Sequence, residues 1–191
     1  MFIETERTPN PATLKFLPGR SVMQDSGGQG GTADFATPED AAASPLATAL
    51  FGLGDVERVF FGADFIAVTK AEGAADWTSL KVDVLGVLVD HFSSAAPLFT
   101  GAAAASDMAV IDDPEDADIV AQINELLDER VRPQVANDGG DIVYRGFQQG
   151  IVYLQMQGAC AGCPSSSATL KHGIESLLKY YVPEVIEVRA V

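Results

Sequence analysis

Alternating and helical hydrophobic patterns predict short strands and helices in the first half of the chain. The segment Thr13–Leu17 alternates polar and apolar residues after two prolines, which is typical of a strand. Ser44 followed by Pro45 is a typical helix start, and we expect a short helix that ends before Gly52. The sequence therefore begins with alternating extended and helical elements.

A hairpin and a longer helix are predicted next. Two β-branched and aromatic runs, 56–61 and 65–69, flank the short turn Gly62-Ala63-Asp64, which favours antiparallel strands. Asp76 can then cap a helix with apolar residues at helical spacing. These are Trp77, Leu80, Val84, Leu88 and Phe92. We interpret Trp77 and Phe92 as core residues rather than as a binding platform.

The second half of the chain is also predicted to contain both helices and strands, in another order. Asp113 and Pro114 predict a helix start. We expect strands at 142–147 and 151–156, a helix at 165–180 and a last strand at 185–188. The first of these helices has an apolar face formed by Ile119, Ile123, Leu126, Leu127 and Val131.

Two stretches are interpreted as connections. The Gly-rich run 26–31 lacks the spacing of a phosphate-binding loop and is predicted to be a flexible loop. Ala-rich sequence between the two patterned halves marks a linker. We therefore predict a domain at 1–95, a linker at 96–112 and a second domain at 113–191.

Charge and composition exclude several classes of partner. The 191 residues contain 27 acidic and 12 basic side chains, a formal net charge of -15. Such a chain repels nucleic acid and anionic lipid surfaces, and no apolar stretch reaches the length of a membrane span. The acidic N-terminus does not resemble a signal peptide or a presequence, so we expect a cytoplasmic protein.

The strongest chemical signal is the pair Cys160 and Cys163, the only two cysteines of the chain. They lie between a predicted strand and a predicted helix, among small residues that let the backbone approach the sulfurs. Amides near a helix N-terminus would favour the thiolate. Tetrahedral zinc and iron-sulfur clusters usually take four protein ligands. One chain offers only these cysteines with His91 and His172, but two chains sharing the site supply four thiolates.

Other interpretations of the same residues remain open. A Cys-x-x-Cys pair at a strand-to-helix junction is also typical of thioredoxin-like dithiol-disulfide oxidoreductases, with Cys160 as the nucleophile. A zinc-bridged dimer and a purely structural pair are further alternatives. Asp138 and Asp141 flank two glycines and are interpreted as turn residues rather than catalytic carboxylates. His172 is interpreted as a partly exposed helical residue without a chemical role.

Particular motifs resemble a known family. The Asp-Gly-Gly-Asp motif at 138–141 and Gly-Ala-Cys-Ala-Gly-Cys-Pro-Ser-Ser at 158–166 resemble the C-terminal domain of NifU-like iron-sulfur carrier proteins. The segments 8–16, 44–47 and 60–65 resemble the N-terminal domain of the Nfu-type members. Together these resemblances cover nearly the whole chain.

The resemblance implies an α+β fold of two small domains, the second with helix-strand-strand-helix-strand order. It also implies a 4Fe-4S cluster that bridges a homodimer through Cys160 and Cys163 of each subunit. A 2Fe-2S bridge would fit one pair per subunit equally well. The implied function is non-enzymatic: the protein receives a cluster from an upstream donor and transfers it to apo iron-sulfur client proteins, and the N-terminal domain helps to choose the recipient.

Overall fold

The protein divides into two compact units, residues 1–105 and 106–191. A computed structural model describes residues 2–23, 31–74, 76–94, 96–100, 111–112, 114–161 and 164–191, with the backbone alone at 111, 114 and 164–167. Strands and helices occur in both units, so the predicted α+β class is confirmed. None of the helices in these ranges has the length and apolarity needed to cross a membrane. The predicted loop at 26–31 lies outside the described residues except for Gly31.

The first unit is an antiparallel sheet covered on one face by helices. The described strands have the order β1-β2-β5-β4-β3. They are β1 Glu4–Arg7, β2 Thr13–Leu17, β3 Ala33–Phe35, β4 Val56–Phe61 and β5 Ile66–Lys70. The helices are α1 Pro45–Phe51 and α2 Trp77–Ser94. The sequence predicted both helices and the β4–β5 hairpin, but not the short strands β1 and β3.

Local hydrogen bonds explain where these helices begin. The Ser44 hydroxyl accepts a hydrogen bond from the Ala47 N–H at 3.2 Å, which caps α1 as predicted. The Asp76 carboxylate accepts one from the Trp77 N–H at 2.8 Å. The core of this unit combines apolar residues of the sheet with Leu80, Val84 and Leu88 of α2, and Trp77 and Phe92 pack against it. Both side chains are partly buried, so they pack at the margin of this core rather than inside it.

The second unit is a mixed four-stranded sheet with helices against it. The strand order is β6-β7-β8-β9, and only the central pair is antiparallel. The strands are β6 Ile111–Asp112, β7 Gly140–Gln148, β8 Ile151–Gly158 and β9 Glu187–Ala190. The helices are α3 Ala117–Leu126, α4 Arg132–Asn137 and α5 Pro164–Tyr181. The strand β6 was not predicted, because two residues carry no recognisable period.

The predicted first helix of this unit is interrupted by a π turn, Leu127–Val131, between α3 and α4. Pro133 has no N–H to donate to the carbonyl four residues earlier, which accounts for the wider turn at this point. Apolar residues four apart still face the core on both sides of the turn. They are Ile123, Leu127, Val131 and Val135. The predicted cap Asp113 lies outside the described residues.

The segment predicted to be a linker touches both units. Leu98 and Phe99 pack with the core of the first unit. At the other end, Asp112 belongs to β6, and its carboxylate accepts hydrogen bonds from the Tyr144 hydroxyl at 2.6 Å and the Phe147 N–H at 3.0 Å. The boundaries 1–95, 96–112 and 113–191 therefore stay a prediction.

Candidate functional site

The β7–β8 hairpin brings Cys160 beside the Asp-Gly-Gly-Asp turn. Gly140 at the start of β7 pairs with Gly158 at the end of β8. Just beyond this pair, the Ala159 N–H donates a hydrogen bond to the Gly139 carbonyl at 3.1 Å. The Ala161 N–H donates to the Gly158 carbonyl, also at 3.1 Å, and closes a turn around Cys160. Two segments 20 residues apart in the sequence are thus joined by backbone contacts.

Gly140 leaves the space that the cysteine sulfur occupies. A Cβ atom at this position would lie 2.8 Å from Cys160 Sγ and 2.6 Å from the Gln157 carbonyl oxygen. Both distances are shorter than van der Waals contact, and the second involves backbone that cannot rotate away. The lack of a side chain at Gly140 therefore makes room for the Cys160 side chain, which lies 20 residues further along the sequence. The sequence analysis did not detect this relationship.

Cys160 is a member of the hydrophobic core of the second unit. Its exposed fraction is 7%, and it belongs to the same cluster as Ile142, Leu154 and Ile174. A thiol in such surroundings behaves as a small apolar group, and metal binding requires it to lose its proton. Cys160 is therefore rigidly positioned and largely shielded from water.

Burial and two carboxylates raise the pKa of the Cys160 thiol to about 12. Burial is the largest cause, because it penalises the thiolate, and the negative charges of Asp138 and Asp141 add to it. The net shift at Cys160 is therefore opposite to the thiolate stabilisation that we expected from the sequence. The residue precedes α5 by four positions and lies inside the core, where burial is the largest cause of the raised pKa.

The interpretation as turn residues is confirmed for Asp138, but Asp141 is the second residue of strand β7. The Asp138 N–H donates to the Gln134 carbonyl at 3.2 Å and the Gly139 N–H to the Ala136 carbonyl at 3.0 Å, which ends α4 in a turn. This turn and the start of β7 bring both carboxylates near Cys160. No signal within the sequence relates the two motifs, because only strand pairing makes them neighbours.

The structure describes one of the two predicted ligands, Cys160. Cys163 lies outside the described residues. His172 is an exposed residue of α5, as predicted, and His91 belongs to α2 in the first unit. Across the described ranges, no three His, Cys, Asp or Glu side chains form a group able to hold a metal ion. Among these residues, the chemistry available at the site is that of a sulfur ligand at a tight turn.

Two family models match the chain. A model described as "NifU-like domain" matches residues 123–189, which include both cysteines. A model described as "Scaffold protein Nfu/NifU N terminal" matches residues 3–95. Together the two matches extend over most of both units.

Relatives are similar over almost the entire chain. The human "NFU1 iron-sulfur cluster scaffold homolog, mitochondrial" is 48% identical over 185 residues, 97% of this chain and 70% of that protein. The Arabidopsis thaliana "NifU-like protein 5, mitochondrial" is 51% identical over 189 residues, 97% of this chain and 66% of that protein. A solution NMR structure of a NifU-like protein from Saccharomyces cerevisiae is 24% identical, with a TM-score of 0.44 over 52% of this chain and 85% of that one.

These similarities correct one expectation and establish the family. The relatives are named mitochondrial, which points to a mitochondrial location, so our expectation of a cytoplasmic protein is wrong. A targeting segment determines the cellular location of a protein, and the composition of a folded domain does not indicate that location. At 48% identity over 97% of its length, and with both family models matched, the chain belongs to the Nfu/NifU-like family of iron-sulfur cluster scaffold proteins.

Proposed function

We propose that this protein carries an iron-sulfur cluster between other proteins. Cys160 and Cys163 of two copies hold one 4Fe-4S cluster at the interface of a homodimer. An upstream donor supplies the cluster, and ligand exchange with the thiolates of an apo iron-sulfur protein moves it on. A 2Fe-2S cluster would use the same four thiolates.

The position of Cys160 is the observation that carries this proposal. Backbone hydrogen bonds of Ala159 and Ala161 fix the turn, and Gly140 leaves room for the sulfur. Cys163 follows three residues later, and the chain contains two cysteines in all. Four thiolates therefore require two chains, which places the cluster on a symmetry axis.

A shared cluster suits temporary holding. Opening the dimer removes half of the ligands at once, so release and dissociation are linked. Asp138 and Asp141 add negative charge beside Cys160, and a cluster with four thiolates is itself anionic. The carboxylates therefore weaken the hold on the cluster and favour its transfer.

Dithiol-disulfide exchange is the second candidate and has less support. The attacking group in such enzymes is a thiolate with a lowered pKa at an accessible position. The pKa of Cys160 is instead raised to about 12, and the side chain is buried. We therefore propose a non-enzymatic role. A zinc-bridged dimer would use the same cysteines without any transfer.

We also propose the division of labour between domains. The domain at 113–191 carries the cluster, and the domain at 1–95 helps to select the recipient. The linker at 96–112 connects the two domains. The separate cores of the two units support two independently packed bodies. The selection role rests on family resemblance and is the part of the proposal furthest from the cysteines.

Anaerobic reconstitution with ferrous iron and sulfide tests the proposal. Iron and sulfide counting, absorption spectroscopy and sizing should give about two irons per chain in a dimer for a shared 4Fe-4S cluster. About one iron per chain would indicate a 2Fe-2S bridge. Cys160→Ser and Cys163→Ser should each abolish the cluster, while His172→Ala should leave it unchanged as a control.

Transfer is tested separately by mixing the loaded protein with an apo protein that needs a 4Fe-4S cluster for activity. Activity should appear at a rate above that of free iron and sulfide at equal concentration. A cluster that forms without either cysteine, or a colourless zinc-containing dimer under all conditions, would contradict the carrier function.

A further inference from the structure

A groove of about 730 Å³ lies along one edge of the sheet in the first unit. Its walls are strand β1, the loop that joins β1 to β2, and the first turns of α2. Grooves of this volume accommodate small ligands or several residues of a peptide. The cysteine site is in the other unit, so the groove is a separate feature.

Strand β1 is an edge strand. It pairs with β2, and no other strand among the described residues lies on its far side. Alternate N–H and C=O groups of an edge strand point outwards and can pair with an added strand. An extended peptide therefore has a backbone template beside the groove.

The register of β1 sorts its side chains between the two faces of the sheet. Arg7 is opposite Leu14, which packs against the core on the side of α2. Side chains of opposite residues project to the same face, so Arg7 points towards the groove. Glu6 is opposite Lys15 on the other face, and Glu6 Oε2 lies 3.3 Å from Lys15 Nζ. Glu6 also lines the groove, and its carboxylate is engaged in this ion pair with Lys15.

The groove has a rigid apolar part. Trp77 and Leu14 both line it and both pack against the core of the unit. Trp77 Nε1 donates a hydrogen bond to the Pro11 carbonyl at 3.3 Å, which joins the loop to α2. An arriving side chain would meet a preformed surface, so little ordering is required on binding.

Two cations complete the groove. Arg7 and Lys81 line it, and Lys81 follows Trp77 by four residues, so the two side chains share a face of α2. None of the ion pairs within the described part of the chain involves Arg7 or Lys81. The carboxylate of Asp76, also in the lining, accepts hydrogen bonds from the Trp77 N–H and the Thr78 hydroxyl. The lining therefore holds two carboxylates and two cations, but Glu6 is paired with Lys15 and Asp76 accepts hydrogen bonds at the start of α2. Arg7 and Lys81 are the lining charges that can pair with carboxylates of a ligand.

We propose that this groove binds an extended acidic segment of a partner protein, which adds to β1 as a further strand. Every second side chain of the added strand faces the groove; apolar ones among these lie on Trp77 and Leu14, and acidic ones among them reach Arg7 and Lys81. This inference stands on the first unit alone and goes beyond cluster carriage, because no step of it uses the cysteines.

Fluorescence of the full chain tests the proposal directly, because Trp77 is the single tryptophan. The probe is a peptide of about eight residues with Ser at every second position and Val and Glu in turn at the positions between, so that one face of the strand carries both side chains. We expect a saturable change in Trp77 emission that weakens as salt is added. A peptide with Lys in place of Glu should not bind.

Matched variants distinguish the groove from the overall charge. Arg7→Gln with Lys81→Gln should weaken binding by about ten-fold or more, as expected for the loss of charge-assisted contacts. Arg20→Gln with Lys171→Gln removes the same charge elsewhere and should change binding little. Equal effects of the two double variants would overturn the proposed groove.

N-methylated peptides test the added strand. Methyl groups on alternate amides block one edge of the peptide, so one of the two alternately methylated peptides should lose binding and the other should keep it. If both bind equally, strand addition is wrong. If no peptide changes the emission, or if the protein alone forms a dimer that depends on Arg7 and Lys81, the acidic partner is wrong.

Discussion

Gly140 and Cys160 are in such close contact that a single methyl group on the glycine would come within 2.8 Å of the cysteine sulfur. The first residue of β7 therefore sets the position of the proposed cluster ligand. The contact depends on the pairing of Gly140 with Gly158 across the hairpin. It links the fold of the second unit to its proposed chemistry and leads to the first prediction.

Gly140→Ala should destabilise the protein and impair cluster retention. The added Cβ collides with the Gln157 carbonyl oxygen as well as with the sulfur, and overpacking of this kind costs about 1–3 kcal/mol. Denaturant unfolding measures the cost, and anaerobic reconstitution measures the iron retained. Gly173→Ala is the control, since a Cβ there meets nothing within 4 Å on helix α5 and should be neutral or slightly stabilising. Equal behaviour of the two variants would contradict the contact.

Asp138→Asn should make Cys160 more reactive in the metal-free protein. The carboxylate raises the pKa of the Cys160 thiol, so its neutralisation lowers that pKa and increases the thiolate fraction. In a Cys163→Ser background, alkylation at constant pH should become about three-fold faster, the effect of half a pKa unit. Asp118→Asn, an exposed change on α3, is the control. An unchanged rate for Asp138→Asn would exclude the proposed charge effect.

Alkaline pH should destabilise the metal-free protein. Below pH 9.0, the ordinary pKa of the thiol, Cys160 is protonated in both states, and up to about 12 only the unfolded state loses the proton. The unfolded state is therefore favoured as pH rises, by at most about 1.4 kcal/mol per pH unit. The pKa of Tyr144 is also raised, chiefly by burial and by its hydrogen bond to Asp112. Its titration therefore also lowers the stability of the folded state as pH rises.

Unfolding of wild type and Cys160→Ser across this pH range isolates the contribution of the cysteine. The stability difference between the two proteins should shrink as pH rises, because only the wild type loses the thiol contribution. A constant difference from pH 8 to about 11 would show that the Cys160 thiol titrates alike in the folded and unfolded states.

The contact between Asp112 and Tyr144 should anchor β6 to the second unit. The 2.6 Å hydrogen bond joins residues on neighbouring strands, and a double-mutant cycle of Tyr144→Phe and Asp112→Ala should give a coupling of about 1–2 kcal/mol. Asp112→Ala should cost more than Tyr144→Phe, because the carboxylate also accepts from the Phe147 N–H. Tyr180→Phe, at an exposed position, should change stability by less than about 0.5 kcal/mol.

The sequence by itself determined the local elements and the identity of the proposed ligands. Ser44 before Pro45 specified the start of α1, and the turn at 62–64 specified the β4–β5 hairpin, because caps and turns depend on neighbouring residues. The pair Cys160 and Cys163 was visible for the same reason: spacing along the chain is a local property. The cellular location of the protein could not be predicted in this way, because targeting is not a property of a fold.

The tertiary structure alone decided what surrounds those residues. Gly140, Asp138 and Asp141 act on Cys160 through the pairing of β7 with β8, and the groove beside Trp77 exists because β1 became an edge of the sheet. Strand pairing joins segments that are distant along the chain, and no local pattern records which segments will meet. The pKa of Cys160 is raised for that reason, by burial and by charges that only folding brings to it.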